Sequence, residues 1–211
     1  MPDVVWTVVV AAGSGTRFGG PKQFELLDGR PVLDWSVEAA TAASEGVVVV
    51  VPADRVGPPG TVAGGATRSE SVRRGLAAVP AGATIVCVHD AARPFAAPVL
   101  FERVVAAVQA GADGAVPGVP VPDTVKQVDS DGVVVATPDR ATLVAVQTPQ
   151  AFRASALRGA HAAGGEGTDD AALVEASGGR VVVVAGDPDN RKLTLPDDLA
   201  WARRRVEGSL P

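Results

Sequence analysis

One pattern recurs along this chain. Short, unbroken apolar runs rich in Val end in Gly, Pro or Asp and alternate with segments of helical periodicity. The runs are Val4–Ala12, Val47–Val51, Thr84–Val88, Gly114–Val116 and Val181–Ala185. A strand with one wet face alternates apolar and polar residues. A run without that alternation reads as a strand buried on both faces, the mark of a largely parallel sheet covered by helices. The stretches between the runs supply those helices. Pro31–Ala43 opens with Pro at a first-turn position, and Ser69–Val79 follows a Thr/Ser-rich start. Pro98–Ala110 sets Val99, Leu100, Val104, Val105 and Val108 on one broad apolar face. A closing helix is expected over Pro196–Val206, with Trp201 packed and Glu207–Pro211 frayed. The predicted fold class is α/β: a doubly wound, largely parallel sheet in a single domain over residues 1–211. Sheets of this kind bind ligands beyond the carboxyl ends of their strands, so the loops after strands are where chemistry belongs.

Segment 121–143 breaks the alternation. Two short strands around Thr124–Val128 and Val133–Ala136, joined by Asp129-Ser130-Asp131-Gly132, read as a β-hairpin with polar turn residues. A hairpin with little apolar surface of its own is marginal in water. It must pack on its own domain or reach a second subunit.

Composition excludes several functions. With 19 basic against 24 acidic residues the net charge is −5, which disfavours a nucleic-acid binder relying on a diffuse basic surface. An anionic ligand must therefore be met by a few placed cations. The single Cys87 permits no intramolecular disulfide, and its apolar surroundings make it a buried strand thiol. Met1-Pro2-Asp3 carries an acid where a signal peptide needs a base, and the apolar runs fall well short of the ~20 residues of a membrane span. The expectation is a soluble cytoplasmic protein with neither nucleic-acid nor membrane partners.

The first apolar run leads into Ala11-Ala12-Gly13-Ser14-Gly15-Thr16-Arg17-Phe18-Gly19-Gly20-Pro21-Lys22. Glycines this dense let backbone N–H groups converge on an anion, and small Ala residues admit a flat base. Two common phosphate motifs fail here. The dinucleotide fingerprint wants Gly where Phe18 stands, and the P-loop wants Lys where Pro21 stands. Glycine alone specifies only a turn; Arg17 and Lys22 on the same loop point to an anion site.

The loop resembles the opening of the cytidylyltransferases that act on 2-C-methyl-D-erythritol 4-phosphate, in the non-mevalonate isoprenoid route. Later segments agree in order: Gly64-Gly65 with Arg68 and Ser71-Val72, Val88-His89-Asp90-Ala91-Ala92-Arg93-Pro94, and Asp123-Thr124-Val125-Lys126. Asp139-Arg140, Gln147-Thr148-Pro149-Gln150, Thr168-Asp169-Asp170-Ala171 and Asp189-Asn190-Arg191-Lys192 come next, so the resemblance spans nearly the whole chain. It implies a Rossmann-like fold with the hairpin as an arm. It also implies transfer of a cytidylyl group from CTP to the polyol phosphate, with pyrophosphate released and Mg²⁺ carried mainly on the CTP phosphates.

By the same resemblance, Arg17, Lys22, Lys192 and Arg140 are catalytic. Arg17 and Lys22 would serve the α-phosphate transition state and the leaving pyrophosphate, Lys192 would position the phosphates from a different loop, and Arg140 would hold the attacking phosphate. Ala11, Ala12, Gly13, Gly15, Gly65, Ser71, Asp90 and Ala91 would hold the nucleotide. Asp90, Arg93, Thr124, Arg140, Thr148 and Thr168 would hold the acceptor, with Arg93 pairing with Asp90 or orienting it. In the family, Thr124 and Arg140 lie on an arm inserted into a neighbouring subunit, implying a homodimer with shared sites. The attacking phosphate is already ionised near neutral pH, so the reaction asks for positive charge rather than a strong base.

Other residues have plainer readings. His89 and Asp90 are neighbours on a strand and point to opposite faces, so they form no acid–base pair. His161 reads as part of a surface helix, and Asp169-Asp170 as a negative first turn that Thr168 could cap. No protein metal site is expected. Rival functions are a cytidylyltransferase for a pentitol phosphate such as ribitol 5-phosphate, and a catalytically idle nucleotide-binding module.

Overall fold

The structure, a computed structural model, describes residues 2–208; Met1 and residues 209–211 lie outside it, and with them parts of the expectations for the two chain ends. The first half runs β1 (Val5–Val10), β2 (Leu26–Leu27), β3 (Arg30–Pro31), α1 (Val32–Ala42), β4 (Gly46–Val51), β5 (Thr61–Ala63), α2 (Arg68–Ala78), β6 (Ile85–Asp90) and α3 (Pro98–Gln109). The second half runs β7 (Gly114–Pro120), β8 (Gln127–Val128), β9 (Val134–Ala136), β10 (Val144–Val146), β11 (Gln150–Arg153), α4 (Ala154–Ala162), α5 (Asp170–Ala176), β12 (Val181–Ala185) and α6 (Pro196–Glu207).

Eight strands form one sheet in which β4, β1 and β6 lie side by side and parallel, with β5 extending β4. β11 runs antiparallel between β6 and β7. β10 pairs antiparallel with the far end of β7, and β12 pairs parallel with β7. Because β11 and β12 both pair Ala115, they must occupy opposite edges of β7. The expected doubly wound, largely parallel sheet is present, with β10 and β11 as a reversed insert.

Helices cover both faces. Val8, Val50, Val86 and Val88 face a cluster completed by Val72 of α2, Leu157 of α4 and Val174 of α5. Val9, Val51, Ile85 and Cys87 face the other, completed by Ala40 of α1 and Phe101 of α3. Alternate residues of one strand thus bury into opposite layers, which is why the runs show no polar alternation. Burial pushes the Cys87 thiol up to about 12, so it remains protonated.

Several sequence expectations need correction. β6 continues past Val88 to Asp90, because Asp90 still pairs with Val10 of β1. β12 lies at the edge of the sheet, so Val183 is 54% exposed rather than buried on both faces. Pro31 is the residue before α1 rather than its first, and Thr67 caps α2 by accepting Glu70 N–H. α6 holds Glu207 within the helix, where fraying was expected. The hairpin exists as β8 and β9, with the Asp129 carboxylate accepting the Asp131 and Val133 N–H groups at the turn. Far from lacking apolar surface, it leaves Val128, Val133, Val134 and Val135 each more than half exposed.

Candidate active site

A cavity of about 530 Å³ opens at the carboxyl ends of β1 and β6, lined by the loop after β1, the N-terminus of α2, the Asp90–Ala92 turn and Lys192. Each wall has a local cause. Gly15 adopts φ +66°, and a Cβ there would fall 1.8 Å from the Gly20 carbonyl oxygen. The Gly15 carbonyl accepts the N–H groups of Phe18, Gly19 and Gly20, so this glycine closes the loop on itself. Gln23 is buried, and its Nε2 donates to the Ala11 carbonyl at 2.7 Å and the Gly13 carbonyl at 2.9 Å. That single side chain fixes the start of the loop. It stands just past Lys22, and nothing in the glycine pattern hinted at its stapling role.

Gly64 lies so close to Ala12 that a Cβ on it would approach the Ala12 Cβ to 2.1 Å. Ser71 Oγ accepts the Gly65 N–H at 3.0 Å and donates to the Thr67 carbonyl at 2.9 Å. Gly65 and Ser71 therefore satisfy one another and, with Ala11 and Ala12, form a narrow wall of small residues. A flat ring fits such a wall by shape. Beside it, the Glu70 carboxylate accepts the Ala66 N–H at 2.7 Å.

The Asp90–Ala92 turn is held from three sides. Asp90 N–H donates to Thr148 Oγ1 at 3.0 Å, Ser36 Oγ donates to the Ala91 carbonyl at 3.1 Å, and Leu193 N–H donates to the Ala92 carbonyl at 2.8 Å. Thr148, expected at the acceptor, is thus buried with its hydroxyl between Asp90 and His89 Nδ1. His89 is fully buried against Phe101 and held at about 4 by its desolvation. It stays neutral at physiological pH, and His89 and Asp90 do occupy opposite faces.

Charge converges at the other end of the cavity. Lys192 Nζ donates to Asp90 Oδ2 at 2.6 Å, and Arg68 Nε and Nη2 approach Asp90 Oδ1 at 3.4 Å each. Burial alone would raise the Asp90 pKa, but Arg68 and Lys192 outweigh it and hold the carboxyl far below the usual range. Lys22 has a lowered pKa, first because it is partly desolvated and then because Lys192 and Arg17 lie near. Arg17, Lys22 and Lys192 thus form a cationic end whose mutual repulsion a bound polyanion would relieve.

Not every expected residue joins this cavity. Arg93, instead of pairing with Asp90, donates to the carbonyls of Asn190 at 2.7 Å and Val146 at 3.3 Å, because those carbonyls crowd its guanidinium. Thr168 is exposed, and Asp169 rather than Thr168 caps α5 by accepting the Ala172 N–H. Asp170 is no solvated first-turn acid: it is buried, paired with Arg68 and with His161, which is also buried instead of lying on a surface helix. Thr124 and Arg140 sit on the exposed arm, with Arg140 donating to the Pro122 carbonyl. Arg68 was legible as part of a motif but had no assigned role, since its partners lie 22 and 102 residues away.

A doubly wound sheet with a small-residue slot at one end of the cleft and three converging cations at the other defines a nucleotidyltransferase. The comparisons narrow the class: the family described as "IspD: 2-C-methyl-D-erythritol 4-phosphate cytidylyltransferase" matches residues 5–207, and the chain belongs to that family. It is 48% identical over 217 residues to the 2-C-methyl-D-erythritol 4-phosphate cytidylyltransferase of Nocardia farcinica, covering 96% of this chain and 94% of that one. It is 47% identical over 224 residues to the bifunctional enzyme IspD/IspF of Nitratidesulfovibrio vulgaris; the match covers 92% of this chain but 56% of that protein. Among solved structures, the 2-C-methyl-D-erythritol 4-phosphate cytidylyltransferase of Thermus thermophilus superposes with a TM-score of 0.81 at 36% identity, covering 95% of this chain and 98% of that one. No helix among the described residues is long and apolar enough to cross a membrane.

Proposed function

We propose that the chain transfers a cytidylyl group from CTP to 2-C-methyl-D-erythritol 4-phosphate, giving 4-diphosphocytidyl-2-C-methyl-D-erythritol and pyrophosphate for isoprenoid precursor synthesis. The observation that carries this reading is the two-ended cavity, with Ala11, Ala12, Gly65 and Ser71 at one end and Arg17, Lys22 and Lys192 at the other. The small residues of the slot suit a pyrimidine, and a larger purine would be disfavoured there by volume. Arg17 and Lys22 hold the triphosphate and neutralise charge on the α-phosphate as the acceptor's phosphate oxygen attacks it. Lys192 offers the phosphates the donors it does not spend on Asp90, and Arg68 shares in neutralising Asp90.

Mg²⁺ fits this donor set when it arrives on the triphosphate. Asp90 is the one carboxylate among the described residues lining the cavity, and it is already shared by two cations. The ion would sit chiefly on phosphate oxygens near Asp90 and would withdraw charge from them. The acceptor is held by Thr124 and Arg140 from the arm of a second copy, in a homodimer with shared sites. Neither residue lines the cavity of its own chain, and the valines beside them are exposed, which supports that arrangement. The single buried Cys87 suits a cytoplasmic setting.

Purified protein with Mg²⁺ and CTP is offered 2-C-methyl-D-erythritol 4-phosphate or ribitol 5-phosphate, and pyrophosphate release is followed. Release with the first acceptor is the expected result. Release with ribitol 5-phosphate alone would move the chain to pentitol phosphates, and no release with either would reject the transferase reading.

A further inference from the structure

Asp170 has no exposed surface, yet it lies one residue away from the cavity lining. Its two oxygens are divided between partners: Oδ2 accepts from Arg68 Nη1 at 2.8 Å and Oδ1 faces His161 Nε2 at 2.9 Å. Arg68 in turn reaches Asp90 Oδ1, and Asp90 Oδ2 takes Lys192. Alternating charges therefore run Asp170, Arg68, Asp90, Lys192, from the α5 layer to the phosphate end of the cavity. Four separate segments contribute one member each.

The distances in this chain are unequal. Arg68 is held tightly from behind, at 2.8 Å, and only leans on Asp90, at 3.4 Å. A guanidinium free of other ties closes on a carboxylate through two parallel bonds. Arg68 lines the cavity and keeps a quarter of its side chain exposed, so it has room to do this. The two-pronged pair would engage both Asp90 oxygens and compete with Lys192 for Oδ2. The anchor behind Arg68 opposes that shift.

We propose that Asp170 is a positioning residue for the nucleotide site: by anchoring Arg68 from the α5 side, it leaves one Asp90 oxygen for Lys192 and so aims Lys192 at the phosphates. The connection between α4 and α5 supports the same tie. Thr67 Oγ1 donates to Glu166 at 3.0 Å, and Gly167 N–H reaches Ser69 Oγ at 3.4 Å, on either side of Arg68. The start of α2 is thus fastened to the segment that leads into Asp170. Burial by itself would lower the Arg68 pKa; Asp170 first and Asp90 second reverse this and raise it.

The inference rests on the CTP reading of the cavity, and its test separates the two. CTP with Mg²⁺ is titrated calorimetrically into the full chain, unaltered and as Asp170→Asn, Arg68→Lys and the double variant, with a thermal unfolding midpoint for each. Each single variant should weaken CTP binding about tenfold. The double variant should bind no more weakly than the weaker single, because both substitutions break one link. In turnover, KM for CTP should rise by more than kcat falls. Unchanged CTP affinity in folded Asp170→Asn would overturn the proposal, as would losses that multiply to about a hundredfold in the double variant. If Asp170→Asn does not fold, Arg68→Lys decides alone: it keeps the charge but cannot span both carboxylates, and wild-type affinity in it overturns the proposal. Absence of CTP binding by the unaltered chain would instead overturn the CTP reading, and this proposal with it.

Discussion

Asp90 on the cavity floor and Arg140 on the arm are both charged residues placed beside phosphate in the proposed reaction, and their surroundings differ completely. Asp90 meets Arg68, Lys192 and Thr148, all from its own chain. Arg140 donates to one arm carbonyl, that of Pro122, and its neighbours along the arm are exposed valines. The floor is an organised polar network over a filled core, and the arm is a hairpin with apolar side chains turned to solvent. A buried charge must be matched where it lies, because leaving one unpaired costs several kcal/mol. An exposed arm is under no such demand within one chain. Charge on the floor is thus matched within one chain, whereas the arm leaves apolar side chains exposed, which is the contrast behind the proposed second copy.

The largest loss is expected at the cationic end of the floor. Lys22→Ala should lower turnover about 10²–10³-fold, the scale for removing one preorganised charge donor. Its unfolding midpoint should hold or rise slightly, since Lys22 is desolvated beside like charges. A fall in both would mean that the residue serves the fold.

Arg140→Ala should lower turnover about 10²-fold while leaving CTP affinity intact. The pair of variants also tests sharing. Lys22→Ala and Arg140→Ala proteins, mixed and allowed to exchange subunits, should regain about a quarter of wild-type activity, because one of two sites in each mixed dimer is whole. No regain on mixing would place Arg140 in its own chain's site. Gly15→Ala should raise KM for CTP about tenfold, since its φ and the Gly20 carbonyl both oppose a Cβ. An unchanged KM would show that the loop reshapes freely.

The smallest effect concerns pH and belongs to the floor alone. His89 is held at about 4, below its unfolded value, so between roughly pH 6.5 and 4 the unfolded chain binds a proton that the folded chain does not. Stability should therefore fall as pH drops through that window, by no more than about 1.4 kcal/mol per pH unit from this group. His89→Gln should flatten the slope of unfolding free energy against pH. An identical slope in that variant would remove His89 as its source.

Much of the parallel core was legible because residues buried on both faces need no alternation, and Val runs announce this directly. β11 was not, since Gln150-Ala151-Phe152-Arg153 is short and mixed, and its place between β6 and β7 depends on pairing with strands far away in sequence. Arg17, Lys22 and Lys192 were legible through motif resemblance, and they do meet at one cavity. Asp170, His161 and Gln23 were misread or passed over for a common reason. Their meaning lies in a partner, and single-chain periodicity carries no information about which buried acid will meet which distant base.

Lys192 is held in place largely by the residues C-terminal to it. The Asp198 carboxylate accepts the N–H groups of Thr194 and Leu195 at 2.8 Å each, Leu193 buries against Leu199 and Ala202, and Arg191 stacks over Trp201 at 4.5 Å. All of these anchors belong to α6, which a ribosome delivers after every strand of the sheet. The same helix closes a third core cluster with Leu27 and Val32. Docking of α6 therefore completes part of the core and sets the position of Lys192 in one act.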